Sequence, residues 1–297
     1  MKRLLVPVDF STHTGISCRY AFALADGHTA EIILFHSFFD QLYFSDGGFS
    51  TSFESGIMLT DEIILDFYKQ KETRLNEIAA ELRSLPSIHN TKLEITCYME
   101  SGDPEVQIMN AIKLYKPDMI VMGSSGMGKK GLFSGSVARR IIDNSNIPVI
   151  AVPEMVGLST VKNVVYMTTF IPEDCQAILE IDRVLSPHQV NIFCLHLQEN
   201  ETDDDVDLKI KKLSEDRALV DLAKRISYHA LGYQNQREIL RSFMNQQKID
   251  LIAFIPHKRN ILKNIFHQGI TKEDLFLTQI PIMAIKPSIQ HVNQTDG

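Results

Sequence analysis

A glycine-rich stretch, residues 123–137, has residue types and a spacing suited to binding a phosphate group. Glycine lets the backbone approach a ligand closely, because no Cβ stands in the way. The stretch follows an apolar run, residues 119–122, and it ends with Ser136 and Val137 where a helical pattern begins. The first turn of a helix offers free N–H groups and a dipole that favours an anion. The glycines of the stretch are Gly123, Gly126, Gly128, Gly131 and Gly135.

This pattern favours a phosphate-binding turn, and the alternative is a glycine-rich surface loop that holds no ligand. Spacing alone does not decide between them, since short glycine motifs also match by chance.

The composition limits the classes of protein that the chain can represent. Its 297 residues predict two domains of ordinary size. With 44% hydrophobic and 23% charged residues, the composition is that of a globular protein. The net charge of −7 argues against a surface for nucleic acid, which requires clustered Lys and Arg.

Apolar runs and cysteines indicate the compartment. No apolar run approaches the roughly 20 residues that span a bilayer, so we expect no membrane segment. The cysteines stand singly, which fits buried thiols in a reducing compartment better than disulfides or a zinc site. We therefore expect a cytoplasmic protein. The cysteines are Cys18, Cys97, Cys175 and Cys194.

Strand and helix patterns alternate along the first half of the chain, which predicts a parallel sheet covered by helices on both faces. Ser11 or Thr12 is expected to cap the first helix, and Asp103 with Pro104 to begin a later one. Residues 38–58 form a predicted aromatic loop, either a lid or a partner surface. The predicted strands cover residues 4–8, 32–35, 92–98, 118–122 and 148–152.

The second half repeats the first. Residues 162–170 match 2–10 position for position, and residues 280–285 match 147–152. Such a duplication predicts two copies of one α/β unit, joined near residues 154–161. It also predicts packing about a pseudo-twofold axis, as in an isologous dimer.

The order of several motifs resembles that of the universal stress protein family, in a tandem form with two family domains. They are Val6-Pro7-Val8-Asp9-Phe10-Ser11, Leu34-Phe35-His36-Ser37, Gly102-Asp103-Pro104, and the glycine stretch followed by Ile147-Pro148-Val149. The resemblance implies an α/β fold of two tandem five-stranded parallel sheets with helices on both faces, like that of the adenine-nucleotide α-hydrolases. The expected domains are residues 1–153 and 161–288.

Nucleotide-binding members of that family hold ATP with a Gly-x2-Gly-x9-Gly-[Ser/Thr] loop. The resemblance therefore implies ATP, with Mg2+, as a ligand of the first half. It places Asp9 beside the ribose and base, the backbone of Ser37 against adenine, and the glycine stretch against the phosphates. The full set of implied nucleotide-binding residues is Pro7, Val8, Asp9, Ser37, Met122, Gly123, Gly126, Gly135, Ser136 and Val137.

One departure from the family loop supports a second interpretation. Eight residues separate Gly126 from Gly135, whereas nine separate their counterparts Lys258 and Gln268 in the second half. The alternative is a family member that binds no nucleotide and acts through dimerisation and protein contacts. In either case the sequence allows a homodimer and leaves the protein partners unidentified.

The second half has lost the residues implied in nucleotide binding. Thr169 replaces Asp9, and bulkier side chains replace the glycines, which would block a phosphate. We therefore expect no ATP site there. The other replacements are Ile255 for Gly123, Lys258 for Gly126 and Gly269 for Ser136.

The sequence shows no motif of a known catalytic site among those considered for this fold. The sequence has no Gly-x4-Gly-Lys-[Ser/Thr] loop and no kinase motif set, so slow ATP hydrolysis is the most that we expect. An adenylyl transferase lacks support, because the turn after Val8 carries no His-x-x-His pair.

Asp9, His36 and His196 each have a structural interpretation beside the functional one. Asp9 either orients a ribose or caps the first helix. His36 and His196 recur at matching positions, and a structural role is favoured over a metal site because no second ligand stands at a suitable spacing.

Overall fold

The structure is a computed structural model, and its description is confined to eleven segments of the chain. They are residues 1–11, 13–27, 29–38, 61–86, 92–124, 136–156, 160–186, 188–198, 202–232, 236–256 and 279–287.

The first half alternates strands and helices as predicted. Its strands are β1 (Lys2–Pro7), β2 (Ala30–Phe38), β3 (Leu93–Ser101), β4 (Met119–Gly123) and β5 (Val149–Val152). Its helices are α1 (Thr14–Ala25), α2 (Asp61–Ser84), α3 (Pro104–Tyr115) and α4 (Ser136–Asn144).

In its described residues the second half follows the same order, with a 3-10 helix at Arg217–Arg225 added before its third strand. Residues 257–278, between its last two strands, lie outside the described segments. Its strands are β6 (Asn163–Met167), β7 (Asn191–Leu197), β8 (Ile226–Leu231), β9 (Leu251–Phe254) and β10 (Ile282–Ala284). Its helices are α5 (Asp174–Leu185), α6 (Asp203–Ser214) and α7 (Gln236–Gln246).

All ten strands belong to one sheet, in the order β3-β2-β1-β4-β5-β10-β9-β6-β7-β8. Pairing is parallel within each half, which confirms the predicted fold class. The two parallel sheets meet where β5 pairs with β10 in the antiparallel sense. The halves therefore join edge to edge.

The β5–β10 pairing, called the seam below, has pseudo-twofold symmetry. Ile150 pairs with Met283, which is its own counterpart in the duplicated sequence. The flanking pairs, Val149 with Ala284 and Ala151 with Ile282, exchange the same two positions of the repeat. An isologous interface has this self-complementary pattern. A homodimer of the whole chain would have to use another surface, because the seam already occupies this edge.

Two apolar layers cover the faces of the sheet, and each contains residues from both halves. One layer includes Tyr20 of α1 and Ile178 of α5, which are almost fully buried. The opposite layer includes Ile141 of α4 and Met244 of α7. Each Å2 of apolar surface that the two halves bury against each other contributes about 25 cal/mol, so these shared layers stabilise the association of the halves.

Helix α3 begins as predicted. Asp103 is the N-cap, and its Oδ1 accepts hydrogen bonds from the amides of Glu105 and Val106 at 3.0 and 3.1 Å. The prediction for α1 is wrong. His13 is the N-cap and makes no side-chain capping bond. The Asp9 carboxylate stabilises the turn instead, because it accepts hydrogen bonds from Ser11 and Thr14.

Lys2 carries a buried ammonium at the start of β1. Its Nζ has no hydrogen-bond partner among the described residues. The pKa of Lys2 is lowered to about 8, chiefly by burial; Asp118 raises this pKa and the nearby Arg183 lowers it. Because the ordinary lysine pKa is about 10.4, the folded protein binds this proton less tightly than the unfolded chain does.

Replacing Lys2 with methionine is expected to raise the free energy of unfolding at pH 7 by about 1–2 kcal/mol, because an unpaired buried charge is removed. In the wild type this free energy should rise between about pH 8 and pH 10.4, and the variant should lack that rise. Urea unfolding across this range measures both effects. Lys162→Met is the control, since Lys162 is the exposed counterpart. Equal effects of the two substitutions would contradict the assignment.

Candidate nucleotide site

The candidate site lies where β1, β2 and β4 end, at one edge of the sheet. Strand β1 lies between β2 and β4, and the strand order reverses there: the chain continues from β1 to β2 and β3 on one side, and then to β4 and β5 on the other. Open α/β sheets bind ligands at such a switch point, beyond the carboxyl ends of the strands. The structure brings six of the sequence-predicted residues to this edge: Pro7, Val8, Asp9, Ser37, Met122 and Gly123.

Asp9 follows β1 and is exposed. Its Oδ1 accepts hydrogen bonds from the amide of Ser11 at 3.0 Å and from Thr14 Oγ1 at 2.8 Å. These bonds tie the end of β1 to the start of α1. Asp9 therefore has the structural role of ordering this turn, while its exposure leaves room for a ligand role.

Val8 and Ser37 are positioned by the sheet. The Val8 amide donates to the Phe35 carbonyl at 2.8 Å, and the side chain of Val8 is buried. Ser37 is half-buried and pairs with Glu100 of β3. Met122 is buried at the end of β4, and Gly123 is half-buried opposite Val152.

The phosphate side of the predicted site is described only in part. Ser136 is the first residue of α4, and the half-buried Val137 packs against the apolar layer of that face. Gly126 and Gly135 lie outside the described residues, as does the predicted aromatic loop beyond Phe38.

The two matching histidines have matching structural roles. His36 Nδ1 lies 2.7 Å from the Val8 carbonyl, and His196 Nδ1 lies 3.1 Å from the Thr168 carbonyl. The His36 ring also packs on Phe10, with centroids 4.4 Å apart, and Phe170 packs on His196 at 4.6 Å. Each histidine therefore holds the turn after its neighbouring strand.

Burial lowers the pKa of His36; the bond to the Val8 carbonyl works against this, and Lys71 lowers the pKa further. The neutral ring must place its proton on Nδ1, because the carbonyl can only accept. This leaves Nε2 as an acceptor.

Four buried polar atoms near this edge have no hydrogen-bond partner among the described residues. None of the four side chains belongs to the predicted nucleotide-binding set, although Ser11, His36 and Ser124 stand inside the quoted motifs. His13 is also engaged elsewhere, because its Nε2 lies 3.0 Å from Glu154 Oε1. The four atoms are Ser11 Oγ, His13 Nδ1, His36 Nε2 and Ser124 Oγ.

The second half fills the corresponding region with its own side chains. Asp174 of α5 is buried and accepts hydrogen bonds from Tyr166 Oη and Thr168 Oγ1, both at 2.5 Å. The amide of Ile171 donates to the same carboxylate at 3.1 Å. Ile171 and Pro256 stand where the first half has Ser11 and Ser124, so these two hydroxyls have no counterpart.

The fold places the chain in a broad class, α/β proteins with an open parallel sheet and helices on both faces. A model of the universal stress protein family matches residues 1–153, so the chain belongs to that family. The comparison with curated proteins found no match.

Solved structures share the fold at low sequence identity. A universal stress protein from Archaeoglobus fulgidus DSM 4304 is 17% identical, with 97% of each chain covered and a TM-score of 0.66. The functionally unknown protein PA1789 from Pseudomonas aeruginosa PAO1 is 10% identical, with 97% of this chain and 93% of that chain covered and a TM-score of 0.56. Both cover nearly all of this chain, so the tandem arrangement occurs in other proteins.

Proposed function

We propose that this protein is a stress-response protein whose first half, residues 1–153, binds ATP as a regulatory ligand. In this proposal the second half, residues 161–288, is a structural partner that binds no nucleotide. The observation that supports it most strongly is the set of four buried polar atoms without partners near the first edge.

An unsatisfied buried polar atom costs about 1–3 kcal/mol, so such atoms are rare unless a water or ligand completes them. A nucleotide has hydroxyls, ring nitrogens and phosphate oxygens that suit these atoms. The hydroxyls of Ser11 and Ser124 can donate or accept, and His36 Nε2 can accept. The residues present therefore fit a polar, multifunctional ligand.

The start of α4 is the proposed phosphate position. Ser136 opens a helix of nine residues, whose first amides have no partner within the helix. Such a terminus stabilises an anion. Mg2+ would be held chiefly by the phosphates, whose charge it would offset.

Hydrolysis would be slow at most in this proposal. No lysine of a Gly-x4-Gly-Lys-[Ser/Thr] loop is present to act on the phosphates. ATP would then act by stabilising one conformation of the first half, which unidentified protein partners would recognise. A cytoplasmic location belongs to the same proposal, and none of the described helices is long and apolar enough to span a membrane.

The alternative is a family member that binds no nucleotide and acts through protein contacts. The eight-residue spacing between Gly126 and Gly135 favours it, because the nucleotide-binding loop of the family has nine residues there.

Calorimetric titration with ATP and Mg2+ separates the two proposals. We expect one site per chain, with affinity reduced at least tenfold in Asp9→Ala and abolished in Gly126→Asp, where a carboxylate would meet the phosphates. Thr169→Ala is the matched control, since Thr169 is the counterpart of Asp9, and it should bind like the wild type. An absence of binding to the wild type would favour the alternative.

A further inference from the structure

We propose that Arg74 of α2 is a positioning residue for the nucleotide site, because it holds the turn that presents Asp9. The inference rests on the proposed function, but its structural part can be tested without a ligand.

The turn contains an unfavourable backbone conformation. Phe10 lies between Asp9 and Ser11 and has a φ of 57°, in the left-handed region that non-glycine residues rarely occupy. Such a conformation is unfavourable and persists only where the surroundings hold it. The bond from the Ser11 amide to Asp9 Oδ1 spans this residue, so its geometry depends on Phe10.

Arg74 contacts both the backbone and the ring of Phe10. Its Nη2 donates to the Phe10 carbonyl at 3.2 Å, and its guanidinium carbon lies 5.0 Å from the ring centroid. Lys71 Nζ lies 5.0 Å from the same ring. A cation within about 6 Å of an aromatic face is attracted to it. Two cations of one helix therefore hold this residue.

Buried residues of helix α2 fix its position, and therefore the position of these contacts. Leu75, next to Arg74, is almost fully buried, as are Ala79 and Leu82 one and two turns further on. These residues fix α2 against the layer that also contains Phe10. The position of Arg74 is therefore set by the core rather than by the turn that it contacts.

The second half has the same turn without the cations. Phe170 has a φ of 58° and packs on His196 as Phe10 packs on His36. Within the described segments, no lysine or arginine lies over the Phe170 ring. The residue before it is Thr169, where the first half has Asp9. The cationic contacts thus accompany the half that carries the acid, as expected if they serve its ligand site.

The test compares Arg74→Met with Arg83→Met on the same helix. Arg83 is a matched control, because its Nη2 also donates to a backbone carbonyl, that of Ile95, at 2.7 Å. Two quantities are measured in the full chain: hydrogen exchange of the Ser11 amide without ligand, and the dissociation constant for ATP with Mg2+.

We expect Arg74→Met to accelerate exchange of the Ser11 amide and to weaken ATP binding by about five- to tenfold, the effect of losing about one net hydrogen bond. Arg74→Lys, which keeps a donor, should lie between the wild type and Arg74→Met. Arg83→Met should change neither quantity. Unchanged exchange in Arg74→Met, or equal effects of Arg83→Met, would overturn the inference. If the wild type binds no ATP, the proposed function fails, and the exchange data still decide whether Arg74 holds the turn.

Discussion

Asp174→Ala is expected to lower the free energy of unfolding by about 3 kcal/mol. The substitution leaves three donors without this acceptor: the buried Tyr166 Oη and Thr168 Oγ1, and the half-buried amide of Ile171. Each donor loses a hydrogen bond worth about 1 kcal/mol, and the cost of leaving a buried donor without an acceptor adds to the loss. Urea unfolding at pH 7 measures the change.

The matched control is Thr14→Ala, because Thr14 is the counterpart of Asp174 in the first half. It removes only the bond from Thr14 Oγ1 to the exposed Asp9, so its cost should be about 1 kcal/mol. Similar costs for the two substitutions would contradict the importance of the buried network.

The pH dependence of Asp174 has a definite sign. Burial raises the pKa of this carboxyl, and the hydrogen bonds from Thr168 and Tyr166 partly oppose the rise. The folded state therefore binds the proton more tightly than the unfolded chain does. The contribution of Asp174 to the free energy of unfolding should fall as pH rises above the ordinary aspartate pKa of about 3.9. Asp174→Asn should lack this decline. Parallel curves of the free energy of unfolding against pH for the wild type and Asp174→Asn would contradict the prediction.

Ile150→Ala and Met283→Ala are each expected to cost about 3 kcal/mol, because both side chains are fully buried at the seam. The two residues pair directly across β5 and β10. Residues in contact usually couple, so the double variant should deviate from additivity by more than about 0.5 kcal/mol. A double-mutant cycle in urea measures this coupling.

The control pairs Ile150→Ala with Leu34→Ala, since Leu34 is equally buried in β2, away from the seam. That pair should be additive. Because the sheet and both apolar layers cross the seam, we also expect the halves to unfold in one transition. Two separate transitions in the wild type would contradict a cooperative seam.

The sequence predicted the strands and the duplication well, because continuous apolar runs in parallel strands and a matching second copy are strong signals. The seam itself was beyond prediction in detail. Strand β10 has only three residues, and its pairing with β5 depends on which edge each sheet leaves open. Only the pseudo-twofold relation could be expected from the repeat.

Local chemistry explains the other differences. Ser11 or Thr12 was expected to cap α1, but Asp9 reaches over the left-handed Phe10 and accepts hydrogen bonds from both Ser11 and Thr14. The buried network of the second half was also missed. Tyr166 and Thr168 alternate along one strand and so share a face, but their contact with Asp174 requires the packing of α5 to be known.

The covalent connection between the halves has a consequence for how the two sides of the seam can diverge. In a pair of identical chains, every substitution appears on both sides of the axis. Here the two sides are encoded separately, and Ile150 faces a methionine rather than another isoleucine. The second half can therefore carry the buried Asp174 while the first half keeps the exposed Asp9. Neither difference disturbs β5 or β10, the strands through which the halves stabilise each other.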